Sequence, residues 1–560
     1  MSERMKSRTG GQILVDALKV HGVDLAFCVP GESYLAVLDA LYDARNSIRL
    51  VTCRQEGGAA NMAEAYGKLT GRPGICFVTR GPGATNASIG VHTAFQDSTP
   101  MIIFVGQVAR DQAEREAFQE VDYRRMFAPL AKWAAQIDDA ARVPELVSQA
   151  FHRAVAGRPG PVVIALPEDM LTAAAEVADT GPYKTVRPHP GPAELQAMRA
   201  LLAKAHRPFL LLGGGGWDAQ AVRDIAAFAE ANDLPVGTSF RCQDLLDNTH
   251  KNHAGHVGIG PDPALAALVK EADVLLVVGA RLGEMTTGGY TLLDVPVPKQ
   301  TLIHVHAGAE ELGRVYQPAL AINAGMAQFA AAARALAPVD ASRWAARTAQ
   351  AHRDYLATLD HKGHAGPVQM PAVMKLLRER LPADAILTNG AGNYTTWLHR
   401  FYQYRRFRTQ LAPTSGAMGY GLPAAVAAKA VHPDRTVVCF AGDGCFLMNG
   451  QELATAVQYG LAIIVIVVNN GMYGTIRMHQ EREYPTRVHG TDLRNPDFAA
   501  LARAYGAHGE TVETTEQFGP AFERAAASGK PALIEIRLDP EAITPRLGLS
   551  QIRENALKAR

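Results

Sequence analysis

Two oxygen-bearing side chains, Asp443 and Asn470, lie 27 positions apart at the ends of two apolar runs. VVCFAGDG sets Asp443 between Gly442 and Gly444, and IIVIVVNNG sets Asn470 just before Gly471. Apolar runs of this length bounded by glycine read as buried strands, and the amphipathic segment between them reads as a helix. Strand, glycine turn, helix and strand make half of a doubly wound unit, whose parallel strands open their carboxyl ends onto one crevice. Asp443 and Asn470 would then face the same space. A carboxylate and an amide oxygen beside glycine-exposed backbone suit Mg²⁺ holding a phosphate. The competing explanation is a pair of ordinary turns, where Asp, Asn and Gly are favoured in any case.

Other phosphate and nucleophile signatures do not fit. No Gly-Lys-Ser/Thr follows the glycines of residues 442–444, so this is not a Walker loop. No Gly-x-Ser-x-Gly elbow supplies a nucleophile. The glycine run 213–216 lacks dinucleotide spacing, because position 218 is Asp. A cofactor bringing its own diphosphate and its own reactive carbon fits this inventory better.

The elements that must position these groups form α/β blocks. Apolar strands alternate with helical segments along the chain, which predicts three doubly wound parallel-sheet domains at residues 1–175, 190–340 and 366–545, with a tail at 546–560. TRGPGATN reads as a turn between strands, and the polar stretch leading to residue 366 reads as a connector. The basic tail reads as partly helical, either packed over a site or frayed. At 560 residues, 48% of them apolar and 20% charged, the chain is a globular protein able to bury a large core. Basic and acidic residues number 56 and 55 without long runs of either sign, which argues against nucleic acid or a membrane surface as a partner. Six cysteines without a CxxC pair give neither a disulfide framework nor a zinc site. The opening residues hold no signal-peptide core and no run reaches membrane-spanning length, so a cytoplasmic location is expected.

Gly442-Asp443-Gly444 followed by Asn470 resembles the diphosphate-binding motif of thiamine diphosphate (ThDP)-dependent enzymes. CRQEGGAANMAEAYGKLTGRPG and TRGPGATN resemble the pyrimidine-binding domain of the same enzymes. Within that superfamily, GPGATN, QDSTPMIIFVGQV, AFQE, GRPGP and GAMGYGLPAA make the chain similar to acetolactate synthase (acetohydroxyacid synthase) catalytic subunits. The resemblance implies a pyrimidine-binding, a central and a diphosphate-binding domain. It implies Mg²⁺ ligands in Asp443, Asn470 and the carbonyl of Met472, and diphosphate donors in Gly442, Gly444 and Cys445, with Gly392, Asn393 and Tyr394 on the other side. Glu56 becomes the catalytic residue, hydrogen-bonded to the pyrimidine ring so that an exocyclic nitrogen can act as a base. A carboxylate there also complements a helix start, whatever its role. Met418 becomes the wedge that bends the cofactor, rather than the core filler that most methionines are. The Gly416 carbonyl and the pocket residues Pro82 and Asn86 complete the cofactor set. A homodimer is the minimal unit implied, with a homotetramer as the larger assembly; a regulatory subunit cannot be read.

The substrate positions depart from the family. Glu32 stands where acetolactate synthases have a second glycine after Pro-Gly, with Ser33 following, and His479 stands where the biosynthetic enzymes carry a Trp. Phe118, Gln119 and Lys132 match pocket positions and favour carboligation. For FAD, Arg281 and Arg158 match contact positions but the neighbouring acids and the second motif are missing, which weighs against flavin. The expected activity is ThDP- and Mg²⁺-dependent decarboxylation of a 2-oxo acid, with pyruvate the expected donor, and transfer of the acyl unit. The alternatives are another ThDP-dependent lyase or carboligase using an aldehyde or acyl-CoA, and a non-catalytic ThDP-binding homologue.

Overall fold

The apolar runs become the strands of three six-stranded parallel sheets in a computed structural model that describes residues 7–361 and 363–560. The opening residues 1–6, where no signal-peptide core is read, lie outside the described part. Parallel sheets carry helices on both faces, so their inner strands read as unbroken apolar runs rather than alternating ones. Val437–Gly442 and Gly74–Val78 are buried along their whole length. The fold class expected from the sequence is the one found. No helix among the described residues is long and apolar enough to cross a membrane.

The backbone divides into two compact units. The first takes the described residues up to 186 with 426–431. Its sheet runs Arg49–Thr52, Leu25–Cys28, Gly74–Val78, Met101–Gln107, Pro161–Pro167, Trp133–Gln136 from edge to edge. Helices Glu56–Thr70 and Gly81–Asp97 lie close together because small residues meet between them: a Cβ on Gly90 would sit 2.4 Å from that of Ala60. The second helix corrects the sequence reading. TRGPGATN is no turn between strands but mostly the opening of a 17-residue helix with Pro82 near its start. Proline is tolerated there because its missing N–H would have no intrahelical partner anyway.

The second unit takes residues 187–425 and 432–560 and holds two sheets. The central one runs His253–Val257, Val236–Ser239, Phe209–Leu212, Val274–Val278, Thr301–His306, Leu320–Asn323. The other runs Gln410–Leu411, Ile386–Asn389, Val437–Gly442, Ile464–Asn469, Ala532–Arg537, His508–Val512. They are joined through the buried Asp244, whose Oδ2 accepts from the backbone N–H groups of Thr409 (3.0 Å) and Gln410 (3.2 Å). Burial raises its pKa, and those donors oppose the shift. The polar connector before residue 366 contains the helix Ala345–Ala357, which buries Thr348, Ala351 and Tyr355 along one face.

Its tail forms the helix Leu549–Lys558, and Leu549 and Ile552 join Met472, Met478 and Ile543 in a small apolar cluster. Arg553 and Arg477 both bond the fully buried Glu481 on the helix Gly474–Glu483. Those arginines, Arg553 first, hold the Glu481 carboxyl down at about 2.

Candidate functional site

Strand register sets the first geometry. Gly442 pairs with Val468, so Asp443 stands level with Asn469, and Asn470 lies one residue beyond the end of the neighbouring strand. Asp443 opens a short helical turn and is buried. Its Oδ1 accepts from the Gly444 N–H at 2.9 Å. Its Oδ2 accepts from the Gly471 N–H at 2.9 Å and from the Asn495 side-chain amide at 2.7 Å. Burial raises the Asp443 pKa, and these donors oppose the shift.

The two asparagines that follow the second strand part company. Asn469 turns inward, donating Nδ2 to the buried Glu535 at 2.7 Å. Asn470 makes no side-chain hydrogen bond to the described residues and is half-buried at the strand edge. The Met472 carbonyl accepts from the Gly474 N–H at 2.9 Å and keeps a second lone pair. These oxygens fit Mg²⁺ as a hard-oxygen set: Asp443 through Oδ1, Asn470 and the Met472 carbonyl. Among the described residues no group of three His, Cys, Asp or Glu side chains could hold a metal. A cation here would therefore need amide, carbonyl and ligand oxygens to complete its shell.

Glycines beside this turn let neighbouring side chains pack against its backbone. A Cβ on Gly442 would lie 2.8 Å from the Tyr394 ring, and one on Gly390 would lie 2.5 Å from Cys445 Sγ. Gly392 has φ +143, a conformation other residues rarely adopt. Tyr394 is turned inward: its hydroxyl accepts from the Gly390 N–H at 3.1 Å and lies 3.2 Å from Cys445 Sγ. Any contact it makes with a ligand would run through its backbone. Asn393 acts as a clamp, its N–H donating to Thr475 Oγ1 at 2.9 Å and its side chain to the Ile543 carbonyl at 3.2 Å. Gly416 has φ +70, is exposed, and has open space where a Cβ would stand. Met418, two residues on, is half-buried against the apolar core of this sheet.

In the first unit, Glu56 opens its helix, yet the N-cap is supplied by Gln55, whose Oε1 accepts from the Gly58 N–H at 3.0 Å. The Glu56 carboxylate instead accepts from Asn86 Nδ2 at 2.9 Å. Pro82 and Asn86 lie one turn apart on the second helix, both exposed. Glu32 is exposed at the head of a short turn, while Ser33 is fully buried with Oγ 3.0 Å from Thr79 Oγ1. Ser33 thus supports the turn from within. Phe118 is 72% exposed, and Gln119 has φ +64 with its carbonyl accepting from the Gly81 N–H. Lys132 donates to the Ala156 carbonyl at 2.6 Å. His479 is exposed on the helix Gly474–Glu483.

The flavin positions are engaged elsewhere. Arg158 donates to Ser98 Oγ at 2.9 Å and lies over the Phe95 ring, and Arg281 Nε lies 3.3 Å from the buried Glu311. The central glycine turn is also closed in: a Cβ on Gly214 would lie 1.9 Å from the Gly279 carbonyl, and Trp217 donates to the Gly213 carbonyl at 2.9 Å.

The sequence carries no signal that marks Asn469 and Asn495 as site residues. Asn495 sits in DLRNPDF, where Asn before Pro reads only as a loop residue.

Three parallel α/β sheets, an Asp–Asn pair at adjacent strand ends and the glycine turns beside them define the class. Residues 8–126, 195–336 and 390–536 match the N-terminal TPP binding, central and C-terminal TPP binding domains of thiamine pyrophosphate enzymes, and the chain belongs to that family. It is 32% identical to the acetolactate synthase isozyme 2 large subunit of Escherichia coli, over 95% of both chains. It is 33% identical to the acetolactate synthase large subunit of Parasynechococcus marenigrum, over 95% of this chain and 87% of that one. The Lactococcus lactis acetolactate synthase large subunit is 32% identical over 90% of this chain and 88% of its own.

Proposed function

We propose that this protein is a ThDP- and Mg²⁺-dependent carboligase that decarboxylates a 2-oxo acid, pyruvate being the expected donor, and transfers the acyl unit to a second carbonyl compound. The observation that carries this reading is Asp443, whose Oδ2 takes two donors and whose Oδ1 accepts from the Gly444 N–H, beside an Asn470 side chain left without a protein partner among the described residues. Likeness to acetolactate synthases over nearly the whole chain supports the reaction class.

When bound, ThDP supplies a carbon acid that adds to the 2-oxo group and a ring that takes up the electrons as CO₂ leaves. The chain's own residues do the rest. Asp443, Asn470 and the Met472 carbonyl hold Mg²⁺, and the N–H groups of Gly442, Gly444 and Cys445 face the diphosphate. Gly392, Asn393 and Tyr394 close its other side. Met418, the Gly416 carbonyl and the pocket residue Pro82 would hold the cofactor between its diphosphate and its pyrimidine. Glu56 holds a proton at the pyrimidine ring nitrogen, and Asn86 fixes the carboxylate that does so.

We propose a homodimer as the working unit, with Glu56 of one protomer serving the cofactor held by its partner. Leu447 and Met448, 45% and 46% exposed just after the Asp443 turn, support a covered face there. A reducing cytoplasm suits six cysteines that form no disulfide among the described residues.

The exposed Glu32 favours a second reading, in which its charge opposes an anionic acceptor and an aldehyde or acyl-CoA takes that place. Purified protein with ThDP and Mg²⁺ is to be assayed for CO₂ and products across a panel of 2-oxo acids and acceptors. Acetolactate from pyruvate alone is the expected result. A product formed only with an aldehyde or acyl-CoA would shift the reading to the alternative. Neither CO₂ nor a new carbon–carbon bond with any donor would overturn both.

A further inference from the structure

We infer that Asn495 is a positioning residue for the metal: it commits Asp443 Oδ2 to the protein and leaves Oδ1 as the oxygen that can take Mg²⁺. This rests on the proposed reading of Asp443 as a metal ligand. The Asn495 side-chain amide carries two protons, and the geometry uses both. One goes to Asp443 Oδ2 at 2.7 Å, the other to Asn469 Oδ1 at 2.9 Å. Asn495 therefore ties together the ends of two neighbouring strands.

The direction of every amide in this network is set from one end. Glu535 is 1% exposed on the strand Ala532–Arg537, and the Gly471 N–H, which can only donate, fixes Asn469 Oδ1 as an acceptor. Glu535 takes Asn469 Nδ2 at 2.7 Å on Oε1 and Thr511 Oγ1 at 3.1 Å on Oε2. Asn469 must then turn its Oδ1 away from Glu535 and toward Asn495. That oxygen also accepts from the Gly471 N–H, at 3.1 Å. Asn495 in turn can present only Nδ2 to the pair of oxygens formed by Asn469 and Asp443. With the Gly471 N–H added, Asp443 Oδ2 has two donors and both its lone pairs engaged, whereas Oδ1 accepts from the Gly444 N–H; the Met472 N–H also faces this carboxylate.

A carboxylate so held needs no rearrangement when a cation arrives. Without Asn495, Oδ2 would lose a donor and the carboxylate could rotate, so the metal would have to order it on binding.

The test is the Mg²⁺ concentration that half-saturates ThDP binding to the metal-free full chain, read by equilibrium dialysis of ThDP at stepped Mg²⁺. Asn495→Leu, which keeps the size and removes the amide, is expected to raise that concentration by about tenfold or more. The thermal midpoint of the metal-free protein, recorded alongside, separates a positioning role from a merely structural one: some loss is expected from the two missing hydrogen bonds, and the shift in metal requirement is expected to exceed what that loss of folded protein explains. A half-saturating concentration within about twofold of the parent would overturn the inference. So would a shift in the metal requirement only in proportion to lost folded protein. If Asn495→Leu does not fold, Asn495→Ser is read by the same thresholds. Asp443→Asn distinguishes the two layers of the argument. A large shift with Asp443→Asn and none at Asn495 defeats only the role of Asn495. No shift with Asp443→Asn defeats the metal reading itself.

Discussion

Asn86 donates its side-chain amide to the Glu56 carboxylate at 2.9 Å, across the contact between two helices, while Gln55 caps the helix that Glu56 begins. The capping role that would explain an acid here is thus filled by its neighbour. The two helices come close enough because Gly57 has no Cβ: one placed there would lie 3.1 Å from the Asn86 carbonyl. Glu56→Gln is expected to leave ThDP affinity within about threefold and to slow deuterium exchange at the cofactor's reactive carbon by about 10²–10⁴. NMR of quenched samples measures that exchange, and an unchanged rate would remove Glu56 from the mechanism.

Gly442 stands where its missing side chain makes room for the Tyr394 ring. Gly442→Ala should push that ring against its neighbours, destabilise the metal-free protein by about 1–3 kcal/mol and weaken ThDP binding. Thermal unfolding with and without cofactor checks both effects. Unaltered cofactor affinity would show that this turn does not shape the diphosphate site.

The tail helix is fastened by Arg553 to Glu481, whose carboxyl is held at about 2 against an ordinary 4.5. Because the folded value is the lower one, this contribution is fully present above about pH 4.5 and fades as pH falls toward 2. Hydrogen exchange over residues 549–558 should quicken through that window in the parent chain. In Glu481→Gln it should be faster already at neutral pH, with a flatter dependence. Equal exchange in the two proteins at pH 7 would mean that the apolar cluster alone holds the tail.

Glu32 is exposed, and Ser33 beneath it is locked between Thr79 and Gly106. Glu32→Gly should therefore change the charge of the turn without collapsing it. The expected outcome is a larger share of product from two 2-oxo acids relative to an aldehyde acceptor, measured in a competition assay. An unchanged product ratio would take Glu32 out of acceptor choice.

Freshly purified protein should show no visible flavin band, since Arg158 and Arg281 are engaged with Ser98 and Glu311. A yellow protein releasing FAD on denaturation would reverse that expectation.

Much of the fold was legible because parallel-sheet strands are written as apolar runs ended by glycine, a pattern that needs no tertiary information. The same pattern placed Asp443 and Asn470 at neighbouring strand ends. TRGPGATN misled because proline and glycine mark a helix start and a turn alike, and only the packing of Gly90 on Ala60 distinguishes them.

By itself, then, the sequence determined the three α/β blocks, the glycine turns and the residue types available for metal and diphosphate. Tertiary structure alone decided which oxygen of Asp443 takes two donors, that Asn469 turns inward while Asn470 does not, and that the tail lies on Glu481 rather than fraying. The physical reason is the range of the forces involved. Burial and backbone conformation repeat with a local period, whereas a hydrogen bond such as Asn495 to Asp443 joins residues 52 positions apart and leaves no periodic trace.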